Sequence, residues 1–134
     1  MKRINTIAII DDDPITIFGI KKMLKALNVS VQIVTFINGK EAIDSIRKML
    51  QNNQAIPEVI FLDINMPIMD GWQFLEEFIA LPVKTKIRIN IVTSSIDPYD
   101  RKQWEHYRTK THHLIDFKNK PIRKKEMEEI TRAA

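Results

Sequence analysis

Asp11, Asp12, Asp63, Thr93 and Lys120 are the side chains of this 134-residue sequence whose types and spacing could do chemistry together. Each follows an apolar run. Ile7 to Ile10 leads into Asp11-Asp12-Asp13, Val59 to Leu62 into Asp63, Ile89 to Val92 into Thr93-Ser94-Ser95, and Leu114 to Phe117 into Lys118-Asn119-Lys120-Pro121. In an open parallel α/β sheet the carboxyl ends of neighbouring strands converge on one crevice, so these four ends predict a single site. Three carboxylates held about 5 Å apart would repel by roughly 3 kcal/mol per pair at an effective dielectric near 20, and such a cluster calls for a cation. An all-oxygen ligand set points to magnesium, which binds through one or two carboxylates and keeps its other positions for water and phosphate. A carboxylate can also accept a phosphoryl group as an acyl phosphate, which makes Asp63 the candidate nucleophile. Asp13, directly before Pro14, reads instead as a helix cap.

The elements that must carry these residues alternate between strand and helix patterns, which predicts βα units around a parallel sheet. Strands are predicted near 5–10, 31–36, 58–62, 87–92 and 113–117, and helices near 14–27, 39–52, 72–80, 98–109 and 122–132. Asp13-Pro14 and Asp97-Pro98 each place a capping side chain before a proline at the first helical position, where the missing N–H costs nothing. Asn38 with Glu41 has the spacing of a capping box. Ile17, Ile20, Leu24 and Leu27 make one apolar stripe; Ala42, Ile43, Ile46, Met49 and Leu50 make another, and both are expected to pack on the sheet. Asn52-Asn53-Gln54 ends the second helix. The fourth strand fits least well, because Arg88 and Asn90 interrupt a run that should be apolar on both faces.

A 44% hydrophobic chain of this length can bury one proper core, and its lack of cysteine leaves neither a disulfide framework nor a thiolate metal site. Lys2-Arg3 before Ile7 to Ile10 does not make a secretory signal, since three aspartates cut the apolar run short. With no long apolar stretch to cross a bilayer, the expectation is a soluble, cytoplasmic, single-domain protein over 1–134 with no membrane partner. The net charge of +4 raises nucleic-acid binding as a competing function, but the basic residues are spread over nearly every helix without a base-reading motif, so none is expected. His112 and His113, adjacent near a strand, point to opposite faces and do not chelate readily; His106 has no matching ligand at i+4.

IAIIDDDPI, VIFLDINMPIMDGW, IVTSS and IDFKNKPI, in this order over essentially the whole chain, resemble the response-regulator receiver domains of two-component signalling. The resemblance implies a flavodoxin-like (βα)5 fold with strand order 2-1-3-4-5. It implies that Asp63 takes a phosphoryl group from a histidine kinase or phosphotransfer protein with magnesium. Asp12 would ligate the metal directly, Asp11 through water, and Asn65 through its backbone carbonyl. Lys120 would pair with Asp63 and then with its phosphate, Thr93 would hydrogen-bond a phosphoryl oxygen, and Phe117 would stand at the switch aromatic without a hydroxyl to donate. The resemblance also implies a cis Lys120-Pro121 bond. In the loop after Asp63, Pro67 restrains the turn and Gly71 is expected to supply a φ above zero. Such a domain catalyses only its own modification. The competing enzyme reading is a magnesium-dependent aspartyl-phosphate phosphohydrolase, which by resemblance to haloacid dehalogenases would need a carboxylate where Asn65 stands.

The stretch from Ser95 to His113 is a few residues longer than the pattern requires, and its helix carries Tyr99, Trp104 and Tyr107 among charged residues. Some of these aromatics must dock the helix, with Trp104 expected to be the one of the three that stays partly exposed. An exposed tryptophan beside arginine has the composition of an interface hot spot. The face built by this helix, the final strand and the final helix, with Trp104 and Tyr107, is therefore expected to bind a downstream protein or a second copy of the chain.

Overall fold

The computed structural model describes residues 4–29 and 31–133, so Lys2 and Arg3 lie outside the described residues. Five strands and five helices alternate: β1 Thr6–Ile10, α1 Pro14–Ala26, β2 Gln32–Phe36, α2 Gly39–Gln51, β3 Val59–Leu62, α3 Gly71–Ile79, β4 Arg88–Thr93, α4 Pro98–Arg108, β5 Leu114–Asn119 and α5 Lys124–Ala133. All pairings are parallel, in the order β2-β1-β3-β4-β5. This is the predicted doubly wound, flavodoxin-like arrangement.

Side-chain alternation along the strands builds a core on each face of the sheet. Ala8, Ile10, Ile60, Leu62, Ile89, Ile91 and Ile115 meet α2, α3 and half-buried residues of α4. Ile7, Ile9, Val59, Phe61 and Val92 meet α1 and α5. Phe61, Phe74 and Phe78 are fully buried. A buried side chain of this kind contributes about 1.5–3 kcal/mol over leaving it in water. The α1 stripe sends Ile20 and Leu24 fully inside and leaves Ile17 and Leu27 partly covered, while α2 buries Ala42, Ile43 and Ile46.

The caps follow the sequence with two refinements. Asp13 accepts from the Ile15 N–H at 3.0 Å, Asp97 from Tyr99 at 3.0 Å and Asn38 from Glu41 at 2.8 Å. Asn38 caps on its own, whereas the full capping box belongs to α3. There Asp70 accepts from the Gln73 N–H at 2.8 Å, and Gln73 Oε1 accepts from the Asp70 N–H at 2.9 Å. That box starts α3 at Gly71.

The awkward polar residues of β4 share the α1–α5 face with Val92. The Arg88 guanidinium donates to the Glu129 carbonyl at 3.3 Å, to the Ile130 carbonyl at 3.3 Å and to Asp116 at 3.3 Å. It thus satisfies carbonyls in the last turns of α5, where a cation also complements the helix dipole. Asn90, fully buried, donates a long 3.5 Å hydrogen bond to the Ile60 carbonyl while its Oδ1 has no partner.

Candidate functional site

Backbone bonds that run one residue past the strands place the reactive side chains. The Asp63 N–H donates to the Ile10 carbonyl at 2.9 Å, and the Asp11 N–H to the Phe36 carbonyl at 3.0 Å. The Lys120 N–H donates to the Thr93 carbonyl at 2.8 Å. The ladder is thus extended just where apolar residues stop, and adjacent strands deliver their polar ends to one crevice.

Carboxylate oxygens of Asp11, Asp12 and Asp63 all lie within 4.8 Å of one another, the one acidic or histidine cluster of metal-binding geometry among the described residues. Lys120 Nζ lies 3.1 Å from Asp11 Oδ2 and 3.6 Å from Asp63 Oδ2. Asp11 and Asp63 are buried, while Asp12 and Asn65 are exposed to incoming solutes. Burial first, and then the Asp11 charge, push the Asp63 carboxyl up to about 6 against the opposing pull of Lys120. Burial also raises Asp11, although it accepts from the Asp13 N–H at 2.9 Å. Burial pulls the Lys120 ammonium down, but the charges of Asp63 and Asp11 outweigh it and its pKa rises. One ammonium therefore under-neutralises three carboxylates. The donors are all oxygen, the deficit is negative and one carboxylate opens to solvent, a set that fits a hard divalent cation.

Thr93 is fully buried, and its Oγ1 accepts from the Ser95 N–H at 3.0 Å rather than touching the carboxylates. Phe117 is half-buried, with its ring 5.9 Å from Trp104 and under the Arg101 guanidinium at 4.9 Å. The Lys120-Pro121 bond is cis. Gly71 does not have the expected positive φ; it is required by close approach, since a Cβ there would sit 2.3 Å from the Asp63 carbonyl oxygen. The left-handed residue in that loop is Ile68, at φ 70°.

On α4, two of the three aromatics dock as expected. Trp104 donates from Nε1 to the Ile115 carbonyl at 2.8 Å, with Arg101 and Arg108 over its ring at 5.5 and 4.7 Å. Tyr107 stacks on Trp72 at 5.9 Å and donates to Glu76 at 2.6 Å. Tyr99, 57% exposed, and not Trp104 as expected, is the most open of the three because it does not pack against the core, whereas Trp104 does and is half-buried. Sequence reasoning missed the Trp72–Asp100 hydrogen bond at 2.9 Å, which crosses from α3 to α4. His112 and His113 precede β5 and do not point to opposite faces, their ring centroids lying 4.0 Å apart. His113 takes a structural part: it accepts from the Ile87 N–H at 2.9 Å, and burial, with His112 adjacent, lowers its pKa to about 4.

Among the described residues no helix is long and apolar enough to cross a membrane. The fold is similar to the crystal structure of the phosphorylated cyanobacterial phytochrome response regulator RcpA, with a TM-score of 0.78 at 23% identity over 96% of this chain and 94% of that one. The crystal structure of the Mn(2+)-bound form of response regulator Rcp1 is similar too, with a TM-score of 0.70 at 18% identity over 96% and 90%. At such identities the likeness establishes the fold alone. By sequence, the hybrid signal transduction histidine kinase L of Dictyostelium discoideum is 28% identical over 130 residues, 96% of this chain and 7% of that protein. This chain spans 7%, 41% and 21% of the lengths of three such curated relatives. Residues 7–132, which include every site residue named above, match the response regulator receiver domain, and the chain belongs to that family.

Proposed function

We propose that Asp63 accepts a phosphoryl group from a phosphohistidine of a sensor kinase or histidine phosphotransfer protein. The observation that carries this reading is the under-neutralised cluster of Asp11, Asp12 and Asp63 with Lys120 between two of its members. An Asp63 carboxylate oxygen attacks phosphorus, a P–O bond forms, the P–N bond breaks, and the imidazole nitrogen keeps the electron pair and later takes a proton. Phosphoryl transfer asks the protein for alignment and charge neutralisation rather than covalent work. Asp11, Asp12, Asp63 and the Asn65 backbone carbonyl would hold magnesium, which when bound supplies positive charge to the phosphoryl oxygens. Lys120 holds Asp63 in line and then pairs with the added charge. The Thr93 hydroxyl turns from the Ser95 N–H to a phosphoryl oxygen, and Phe117 repacks into the space beneath.

The output surface is the face of α4, β5 and α5 around Trp104, which a downstream protein or a second copy covers in the phosphorylated state; Tyr107, expected on the same face, turns instead to α3, where it stacks on Trp72. Phosphorylation acts there by favouring the conformation that the partner prefers. The phosphohydrolase alternative is weaker, because Asn65 offers no carboxylic acid two residues after Asp63.

Incubation with magnesium and a small acyl phosphate tests the acceptor. Mass spectrometry should find one acid-labile phosphoryl adduct, absent from Asp63→Ala. An unmodified parent alongside a labelled control receiver, or a label that persists in the variant, defeats the reading.

A further inference from the structure

Asp100 is a buried carboxylate that neither the site nor a helix cap explains. It lies in the first turn of α4 and is 8% exposed, yet the N-cap of that helix is Asp97. Burying a carboxylate is costly unless its oxygens are hydrogen-bonded. Both are: Oδ1 accepts from Trp72 Nε1 at 2.9 Å, and Oδ2 accepts from the Ser95 hydroxyl. No ion pair to Asp100 occurs among the described residues, so its orientation depends on these two donors.

Ser95 is bound at its other end to the switch. Its N–H donates to Thr93 Oγ1 at 3.0 Å, and its own Oγ accepts from the Asp97 N–H at 3.2 Å. Beyond Asp100, the Trp72 ring stacks at 12° on Tyr107, whose hydroxyl donates to Glu76. Direct contacts thus run unbroken from Thr93 through Ser95, Asp100 and Trp72 to Tyr107 and Glu76. They end at a groove of about 470 Å³ between α3 and α4, bordered by Trp72, Glu76, Tyr99, Gln103 and Tyr107.

We infer that Ser95 and Asp100 are positioning residues that carry the phosphorylation state of Asp63 to the α3–α4 groove, separately from the Trp104 and Phe117 contacts on the other side of α4. The inference rests on the roles proposed for Asp63 and Thr93. The two-state element is the Thr93 side chain: in one position its oxygen accepts from the Ser95 N–H, and in the other, displaced toward the site, its O–H donates to a phosphoryl oxygen. When it turns to the phosphoryl group, the Ser95 N–H loses its acceptor and the loop from Ser94 to Asp97 resettles. Ser95 Oγ moves with that loop, and the carboxylate of Asp100 must follow its donor or lose it. The Trp72 N–H, fixed to the same carboxylate, feels either outcome.

The chain carries its own reporters. Its two tryptophan indole N–H groups bond to different places: Trp72 to Asp100 on the α3–α4 side, and Trp104 to the Ile115 carbonyl on the β5 side. In protein labelled with 15N at the indoles, magnesium and fluoroberyllate, a stable phosphoryl mimic, are added. The 19F signal of bound fluoroberyllate reports occupancy, and Trp72→Phe and Trp104→Phe assign the two resonances. The Trp72 indole resonance should be displaced on binding. In Ser95→Ala that displacement should be lost while fluoroberyllate still binds and the Trp104 resonance still moves; Ser95→Thr, which keeps the hydroxyl, should restore it. Asp100→Asn, which retains an acceptor for Trp72 and so preserves the fold, should also lose it. A stationary Trp72 resonance in the occupied parent, or a displacement unchanged in both Ser95→Ala and Asp100→Asn, overturns the relay and leaves the acceptor role intact. Absence of a bound 19F signal in the parent overturns the acceptor role, and the relay with it.

Discussion

Asp63→Asn should make the metal-free protein more stable, although it removes the residue at the centre of the proposed chemistry. In the folded chain the Asp63 carboxyl is pushed from 3.8 up to about 6 by burial and by the neighbouring Asp11 charge. Its folded pKa exceeds its unfolded one, so the folded state binds the extra proton. The stability that this proton contributes is full below about 3.8 and is lost as pH rises through about 6. A shift of about 2 units corresponds to about 3 kcal/mol, a ceiling that residual solvent access and relaxation of Lys120 reduce to about 1–3 kcal/mol. Asparagine keeps the oxygen that accepts from the Ile64 N–H at 2.8 Å, and Lys120 keeps Asp11 at 3.1 Å. No cavity results, and the Asp11 and Asp12 carboxylates, with oxygens within 4.8 Å of one on Asp63, offer acceptors for the new amide N–H groups. For a domain of this size each kcal/mol is worth about 4 °C in melting temperature, so a rise of about 4–12 °C is expected at pH 8 in chelator. Thermal melts from pH 4 to pH 8 should show the two proteins converging toward pH 4, separating between 4 and 6, and staying apart above. Saturating magnesium should narrow the gap by stabilising the parent through mass action. A variant no more stable than the parent at pH 8 in chelator, or a gap that does not change with pH, would refute the electrostatic account of the site.

Asp12→Ala should remove most of the magnesium-dependent rise in melting temperature; an equal rise in parent and variant would put the metal elsewhere. A Cβ on Gly71 would lie 2.3 Å from the Asp63 carbonyl oxygen and 2.9 Å from Ile64 Cα, both backbone atoms. Gly71→Ala should therefore cost about 2 kcal/mol in urea denaturation, as overpacking against immovable neighbours does. Ile68, a β-branched residue, is strained at φ 70°, and its side chain, 81% exposed, makes little packing to give up. Ile68→Gly should accordingly stabilise by about 1 kcal/mol in the same measurement. Trp104→Ala should still accept phosphate at Asp63 but fail to recover a partner in a pull-down with the phosphoryl mimic, and unchanged recovery by the folded variant would remove Trp104 from the output surface.

The sequence alone determined the order of elements and the membership of the acidic site, because both are written in short-range signals. A central strand is apolar over most of its length, so Asp11, Asp63 and Thr93 marked the ends of β1, β3 and β4 in a linear reading, and Lys120 that of the edge strand β5. Asp13-Pro14 and Asp97-Pro98 announced helix starts because a cap acts within three residues. Tertiary structure decided what depends on partners distant along the chain. Arg88 could be understood only once the α5 carbonyls 41 and 42 residues away lay above it. His113 needed the Ile87 N–H, 26 residues distant, and Trp72 needed Asp100, 28 residues distant. Gly71 looked like a source of left-handed backbone, yet the packing of α3 against the end of β3 demands its missing Cβ, and Ile68 takes the left-handed turn instead. Periodicity and capping constrain each element by itself, whereas these contacts come from the docking of two elements, where the angle and offset that bury most apolar surface select which polar atoms meet.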